Sequence, residues 1–337
     1  MGKPRVYVTR QIPPPATEKI SSVCEVVVRK RQEPPSKREL IRNLPKFDAV
    51  VCLLTDRFDE EVLTAAPALR VISTMSAGFD HIDVKKATEN GIYVTNTPGV
   101  LTDATADFAW TLLMAAARRI GEAERYVRGR KWRIGWSPTL LLSGAIHGKT
   151  LGILGLGRIG AAVAERAKGF NMRVIYHDAE RSSPERERAL GVQFVELEEL
   201  LRAADFVSLH TPLTPETRNL INEDRLRMMK DTSVLINTSR GPIVDEKALA
   251  KALRQSWIAA AGLDVYEKEP ISPKSPLLRL QNVVLAPHIA SATRESRSKM
   301  SEIAAANLLA LLRGERPPHL VNPEVQQVRP LSEIRML

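Results

Sequence analysis

One hexapeptide limits the choice of fold more than any other feature of this chain. Gly155-Leu156-Gly157-Arg158-Ile159-Gly160 follows the apolar run TLGIL and opens an amphipathic stretch over 158–170. A strand, a tight glycine turn and a helix in that order form the first half of a dinucleotide-binding βαβ unit. Gly155 permits the turn, Gly157 lets backbone approach a pyrophosphate, and Gly160 lets the helix pack close to the strand. Leu156 and Ile159 fill the variable positions between them, and Arg158 adds a cation where the helix dipole already favours an anion. The next strand ends in Tyr176-His177-Asp178, and Asp178 stands eighteen residues beyond Gly160. A carboxylate at that distance is placed to accept the adenosine ribose hydroxyls. It also repels a 2′-phosphate, so the reading favours NAD(H). Arg181 is near enough to offset that repulsion, which keeps NADP(H) as the alternative.

The rest of the chain has the rhythm that this unit requires. Short β-branched runs at 5–10, 26–28, 49–54 and 69–74 alternate with helical stretches at 37–43 and 59–65, and Pro13–Pro15 break the first pattern. After residue 149 the alternation restarts, with strand candidates at 150–154, 173–177, 205–209, 233–237, 260–263 and 283–285. Strands separated by helices build parallel sheets, and six such strands complete a doubly wound sheet. Between the two series lies 102–120, free of glycine and proline and apolar on every side, which predicts a helix buried between domains or subunits. A last long helix is expected from about residue 291 to Gly314.

Composition narrows the class further. A chain of 337 residues corresponds to about two domains. Its 44% hydrophobic and 26% charged residues exclude a disordered chain, a collagen-like fibre and a disulfide-stapled miniprotein. The net charge is +10, densest at Arg125, Arg128, Arg130, Lys131 and Arg133. Aromatic residues at 5% are sparse for stacking on single-stranded bases, so no nucleic-acid partner is expected. Cys24 and Cys52 sit in or beside apolar runs and read as buried free thiols. No metal-ligand spacing occurs, and no metal is expected. Neither a signal peptide nor an apolar run of membrane-spanning length is present, so the expectation is a soluble cytoplasmic protein without a membrane partner.

Three charged residues follow predicted strands. Arg240 comes after VLINTS, Glu269 after AAGLDV and a short loop, and His288 after VVLAP. Ligands of an open α/β sheet bind beyond the carboxyl ends of its strands. An arginine there pairs with a carboxylate through its planar fork. A histidine moves a proton near neutral pH, and a glutamate beside it orients the ring and favours its protonated form.

Together these stretches resemble the D-isomer-specific 2-hydroxyacid dehydrogenases. The matching segments are GILGLGRIG, HTPLTPET, LINTSRGPIVDEKAL, AAGLDVYEKEP and NVVLAPHIASAT, spread in order over about residues 5–323. STMSAGFDHID and NTPGVLTDATADFAWTLLMAAARR are most similar to the glyoxylate/hydroxypyruvate reductase branch. The resemblance implies two doubly wound Rossmann-like domains with parallel sheets and the active site in the interdomain cleft. Residues 1–98 plus 289–337 would form a flavodoxin-like substrate domain, and 99–288 the dinucleotide-binding domain. It implies a homodimer through helix 102–120, with Trp136 reaching towards the partner subunit's pocket.

It further implies that Arg240 binds the substrate carboxylate and polarises the carbonyl, that His288 protonates the carbonyl oxygen, and that Glu269 holds His288. Backbone N–H groups of Ser76, Ala77 and Gly78 would receive the carboxylate. Pro212, Thr238, Ser239 and Asp264 would line the cofactor. The implied activity is NAD(P)H-dependent reduction of a small 2-keto acid: glyoxylate to glycolate and hydroxypyruvate to D-glycerate. The alternatives are reduction of a larger acid such as 2-ketogluconate and a non-catalytic, corepressor-like NAD-binding role. Formate dehydrogenases of this fold carry Gln where Glu269 stands. The departures from the family pattern are Ala77, where relatives often have Val or Thr, and His177 before Asp178.

Overall fold

A computed structural model describes residues 2–337. The chain divides into two compact units, residues 1–101 with 292–337 and residues 102–291.

The first unit holds a five-stranded parallel sheet of β1 (Arg5–Val8), β2 (Glu25–Val28), β3 (Ala49–Cys52), β4 (Val71–Thr74) and β5 (Tyr93–Thr95), in the order β2-β1-β3-β4-β5. That is the flavodoxin-like strand order. Side chains alternate across the sheet. Val6, Val8, Ala49 and Val51 enter the layer that includes Met300, Ala304 and Leu308 of the helix Arg294–Leu312. Tyr7, Val50, Cys52 and Ile72 face the opposite layer with Leu40, Phe58 and Leu63. Burial on both faces is why these strands read as unbroken apolar runs. β1 ends at Val8, ahead of the triple proline, and the prolines begin a helix, Pro14–Ser21, because proline suits the first turn, where its missing N–H has no intrahelical partner. Strand β5 was absent from the sequence reading. Its three residues are too few to show a period.

The second unit holds a seven-stranded parallel sheet of β6 (Thr150–Leu154), β7 (Arg173–His177), β8 (Val192–Phe194), β9 (Phe206–Leu209), β10 (Val234–Asn237), β11 (Ala260–Leu263) and β12 (Val283–Leu285), in the order β12-β11-β10-β9-β6-β7-β8. The order in which strands are added reverses at the parallel β6/β9 pair, which is the crevice where doubly wound sheets take ligands. The sequence expectation of six strands omits β8, a three-residue edge strand whose middle residue, Gln193, is exposed.

The expected helix 102–120 is two helices. Thr102–Ala117 ends before Arg119, which adopts a left-handed backbone (φ 54°), and Ile120–Arg128 follows. Much of the all-round apolar character of the first helix is spent within its own unit. Leu112 backs onto Gly262 of β11, where an added Cβ would lie 2.9 Å from the Leu112 Cβ. Trp110 stacks on Phe170 at 4.8 Å between ring centroids and donates its indole N–H to Val163 O at 3.1 Å.

Trp110→Ala removes that stack, that hydrogen bond and a nearly fully buried ring. It is expected to destabilise the protein by about 3–5 kcal/mol, whereas Thr111→Ala on the exposed face should cost less than about 0.5 kcal/mol. Denaturant unfolding of the two variants measures the difference.

Candidate active site

All the sheet pairs of the second unit are parallel and in close register, with Leu154 opposite Leu209, Asn237 opposite Leu263, and Leu263 opposite Leu285. The loops leaving β6, β7, β9, β10, β11 and β12 therefore emerge on one edge. Every candidate nucleotide residue from 155 to 264, and the charged set Arg240, Glu269 and His288, belongs to that edge.

At its centre the chain is packed backbone to backbone. Gly155 leaves β6 with φ +92°, and a Cβ there would lie 2.8 Å from the carbonyl carbon of His210. A Cβ on Gly160 would lie 2.1 Å from Gly155 O. Gly157, by contrast, has nothing within 4 Å of that position and is exposed, as is Arg158 beside it at the start of the helix Arg158–Ala167. The two outer glycines close the turn and the middle one leaves open space over a helix N-terminus, which is the shape an anionic pyrophosphate requires. Leu156 is buried and Ile159 half-buried. Asp178, at the end of β7, accepts the N–H of Leu156 through Oδ2 at 2.7 Å and that of Ala179 through Oδ1 at 2.8 Å. These bonds hold its carboxylate against the glycine turn.

Two further polar atoms bear on the fit. The hydroxyls of Thr211, after β9, and Thr238, after β10, are buried without a hydrogen-bond partner. Buried hydroxyls left unpaired are rare and point to a missing partner. Ser239 Oγ donates to Thr211 O, and Ser239 N donates to Asn237 Oδ1 at 3.0 Å, which joins the β9 and β10 exits. Pro212 follows Thr211 on the first of these. The open turn, the glycine cradle and the two unpaired hydroxyls fit a dinucleotide lying along this edge. Arg181, which the sequence offered as a phosphate ligand, instead makes a two-pronged ion pair with Glu187 at 2.9 Å on each arm.

The charged set is assembled by contacts between neighbouring loops. His288 Nδ1 lies 2.7 Å from Glu269 Oε2. The carboxylate acceptor assigns the ring proton to Nδ1 and leaves Nε2 for exchange with a ligand. The other oxygen of Glu269 accepts Tyr266 N at 3.2 Å. Tyr266 touches the Arg240 loop, since a Cβ on Gly241 would fall 1.8 Å from the Tyr266 carbonyl carbon. The Arg240 carbonyl is held by Asn237 Nδ2 at 2.9 Å, and its guanidinium donates to Ser239 O at 2.9 Å.

His288 has φ +55°, a left-handed conformation that costs an ordinary residue about 1–2 kcal/mol. Asp264, the residue after β11, compensates. Its carboxylate accepts Ile289 N at 2.8 Å and Ala290 N at 2.7 Å, while its own carbonyl accepts His288 N at 2.9 Å. Burial pushes the Asp264 carboxyl up, and the two N–H donors and nearby His288 oppose that shift. A cation, a carboxylate–imidazole pair and a nucleotide cradle on one edge can together bind an acid, hand it a proton and present it to a dinucleotide.

Two further sequence candidates belong to other loops of the chain. Ser76, Ala77 and Gly78 follow β4 in the first unit. Ser76 Oγ donates to Gly78 O at 2.7 Å, and Asn96 Nδ2 holds Ala77 O at 2.7 Å. Trp136 is 78% exposed on the loop after Ile120–Arg128. Asn237, Thr211 and Tyr266 lie within LINTSRGPIVDEKAL, HTPLTPET and AAGLDVYEKEP, but their residue types alone carry no signal of these contacts. Among the described residues no group of three or more His, Cys, Asp or Glu side chains could hold a metal, and no helix is long and apolar enough to cross a membrane. Cys24 and Cys52 are buried free thiols.

The fold and this edge define a dinucleotide-dependent oxidoreductase of the doubly wound class, and comparison with known proteins gives its family. Residues 110–290 match the family model described as D-isomer specific 2-hydroxyacid dehydrogenase, NAD binding domain. A glyoxylate reductase from Korarchaeum cryptofilum is 58% identical over 328 residues, covering 97% of this chain and 98% of the relative. Among solved structures, the TT0316 protein of Thermus thermophilus superposes with a TM-score of 0.87 at 47% identity, covering 94% of this chain and 99% of that one. An NADPH-dependent glyoxylate/hydroxypyruvate reductase from Sinorhizobium meliloti, solved with NADP and malonate, gives a TM-score of 0.85 at 34% identity, covering 96% and 98%. The chain belongs to the D-isomer-specific 2-hydroxyacid dehydrogenases.

The ring of His210 retains some exposure, but the atoms packed around it disfavour the imidazolium and pull its pKa down to about 4. Below its ordinary value of 6.5 the unfolded chain binds a proton that the folded chain refuses, so stability falls as pH drops from 6.5 to about 4. His210→Gln should flatten the melting temperature of the protein across that window. An unchanged slope removes His210 as its cause.

Proposed function

We propose that the protein reduces glyoxylate, and hydroxypyruvate as a second substrate, with NADH as its preferred reductant. The observation that carries this reading is the 2.7 Å Glu269–His288 pair on the same sheet edge as Arg240 and the glycine cradle. The full-length similarity to a glyoxylate reductase supports the substrate.

The Arg240 guanidinium binds the substrate carboxylate and draws charge from the adjacent carbonyl. The bound nicotinamide supplies the hydride that the carbonyl carbon accepts. His288 gives its Nε2 proton to the carbonyl oxygen, so the product leaves as a hydroxy acid and the ring is left neutral, to be reprotonated from solvent. Glu269 holds Nδ1 throughout and stabilises the charged ring. Backbone N–H groups at Ser76–Gly78 are further donors to substrate carboxylate. Along the nucleotide, Gly155–Gly160 take the pyrophosphate, Asp178 takes the ribose hydroxyls, and Pro212, Thr238, Ser239 and Asp264 line the remainder. The preference for NADH rests on Asp178, held 2.7 Å from Leu156 N, where a 2′-phosphate would meet its charge.

We also propose a homodimer. Trp132, Ile134, Trp136 and Leu142, between 55% and 78% exposed, crowd one loop beyond the Thr102–Ala117 helix. So many large apolar side chains on the loop between Ile120–Arg128 and β6 mark an interaction surface. Sedimentation should give twice the chain mass, and Trp132→Ser with Trp136→Ser should shift it to the monomer. A monomeric native protein rejects the dimer.

With glyoxylate and NADH, His288→Asn is expected to lower kcat by about 10²–10⁴, the usual worth of a general acid. Arg240→Ala should raise KM and lower kcat together while NADH binding persists. Undiminished turnover in Arg240→Ala overturns the assignment. Turnover confined to a longer 2-keto acid such as 2-ketogluconate transfers the reading to that substrate.

A further inference from the structure

The loop after β7 carries the charges nearest the ribose end of the cradle: Asp178, Glu180, Arg181 and, on the helix Pro184–Leu190, Arg186 and Glu187. The arginines would favour a 2′-phosphate, yet both are engaged elsewhere. Arg186 donates to Leu156 O at 2.7 Å. Arg181 is drawn back onto the helix by Glu187, Nε to Oε1 and Nη2 to Oε2, both at 2.9 Å, and its guanidinium lies 5.7 Å over the Phe194 ring. Glu187 is itself fixed. Tyr176, a buried residue of β7, donates its hydroxyl to Oε1 at 2.7 Å and accepts Ser182 N at 2.9 Å. The Glu187 side chain is 11% exposed while that of Arg181 is 61% exposed. The anchor is therefore inside and the anchored cation outside.

We infer that Glu187 is a specificity-determining residue: it ties Arg181 away from the ribose and so denies NADPH the cation its 2′-phosphate needs. This rests on the reading that the Gly155–Gly160 edge binds the dinucleotide. Asp178 and Glu187 then act by different means, one by repelling the phosphate and the other by withholding its partner. Tyr176 matters because it stops the carboxylate from following the arginine outward. The pair stays ionised over the working range, since Arg181 and the Tyr176 hydroxyl bring the Glu187 carboxyl down to about 2.

The test is direct binding without substrate, by titrating NADH and NADPH into the purified protein and its variants and reading nicotinamide fluorescence. Glu187→Gln keeps the Tyr176 contact and removes the charge. It should tighten NADPH by about fivefold or more, the worth of one charge-assisted contact, and leave NADH within about twofold. Adding Arg181→Met to Glu187→Gln should abolish the gain, and raising the salt concentration should shrink it. Arg181→Met alone should not weaken NADPH. Three results overturn the inference: an unchanged NADPH affinity in Glu187→Gln, a gain that survives Arg181→Met, or equal weakening of both nucleotides, which makes Glu187 a structural support only. A native protein that binds neither nucleotide overturns the dinucleotide reading itself. Native binding of NADH with any of those three results leaves that reading standing and removes only the role of Glu187.

Discussion

The geometry of the candidate active site depends on one buried carboxylate. Asp264 accepts two successive backbone N–H groups, those of Ile289 and Ala290, and so fixes the turn in which His288 adopts a left-handed backbone. Without those acceptors the turn would relax to a common conformation, and the imidazole would leave the Glu269 carboxylate. The arrangement costs burial of a charge, which pushes the Asp264 carboxyl up. Charge-assisted hydrogen bonds to backbone offset that cost. A histidine placed by main-chain bonds is held more firmly than one placed by side-chain packing, because the accepting carboxylate sits on the residue that follows β11.

The same logic recurs along the sheet edge. Gly155 meets the His210–Thr211 backbone, Gly160 meets Gly155, and Gly241 meets Tyr266. The first and last of these join loops from different strands, the middle one closes a turn on itself, and each brings backbones closer than any side chain would permit. Their spacing is set by peptide planes and not by rotamers. The nucleotide turn and the Arg240 loop therefore occupy defined positions relative to each other, as the reaction between a bound acid and a bound dinucleotide demands.

Much of this was legible in the sequence because the constraints are local. A tight turn needs glycine at fixed spacing, and a doubly buried strand needs an unbroken apolar run, so the strands of both sheets and the nucleotide turn were visible. What escaped was short or set by distant partners. Tyr93–Thr95 and Val192–Phe194 are three residues each, too few to display a period. The break at Arg119 has no glycine or proline to announce it. The pairing of Arg181 with Glu187 joins a loop to the helix after it through Tyr176. Neither charge signals by itself that it is committed to the other. Glu269 and His288 were paired by analogy of role, but the part of Tyr266 in positioning Glu269 depends on a backbone contact that no side-chain pattern encodes.

The surplus of positive charge is a final case in which placement decides meaning. A +10 chain invites a reading as a binder of polyanions. Yet several of its basic residues are committed to particular partners. Arg125 donates to Gln281 on the side chain and the backbone, Arg128 pairs with Glu124 one turn away, and Arg166 holds Asp103 and Asp107. Cations tied to neighbours in this way hold loops and helix ends in place. At the ribose end of the cradle the same economy has a chemical consequence, because there a cation bound to its own protein is a cation withheld from the ligand.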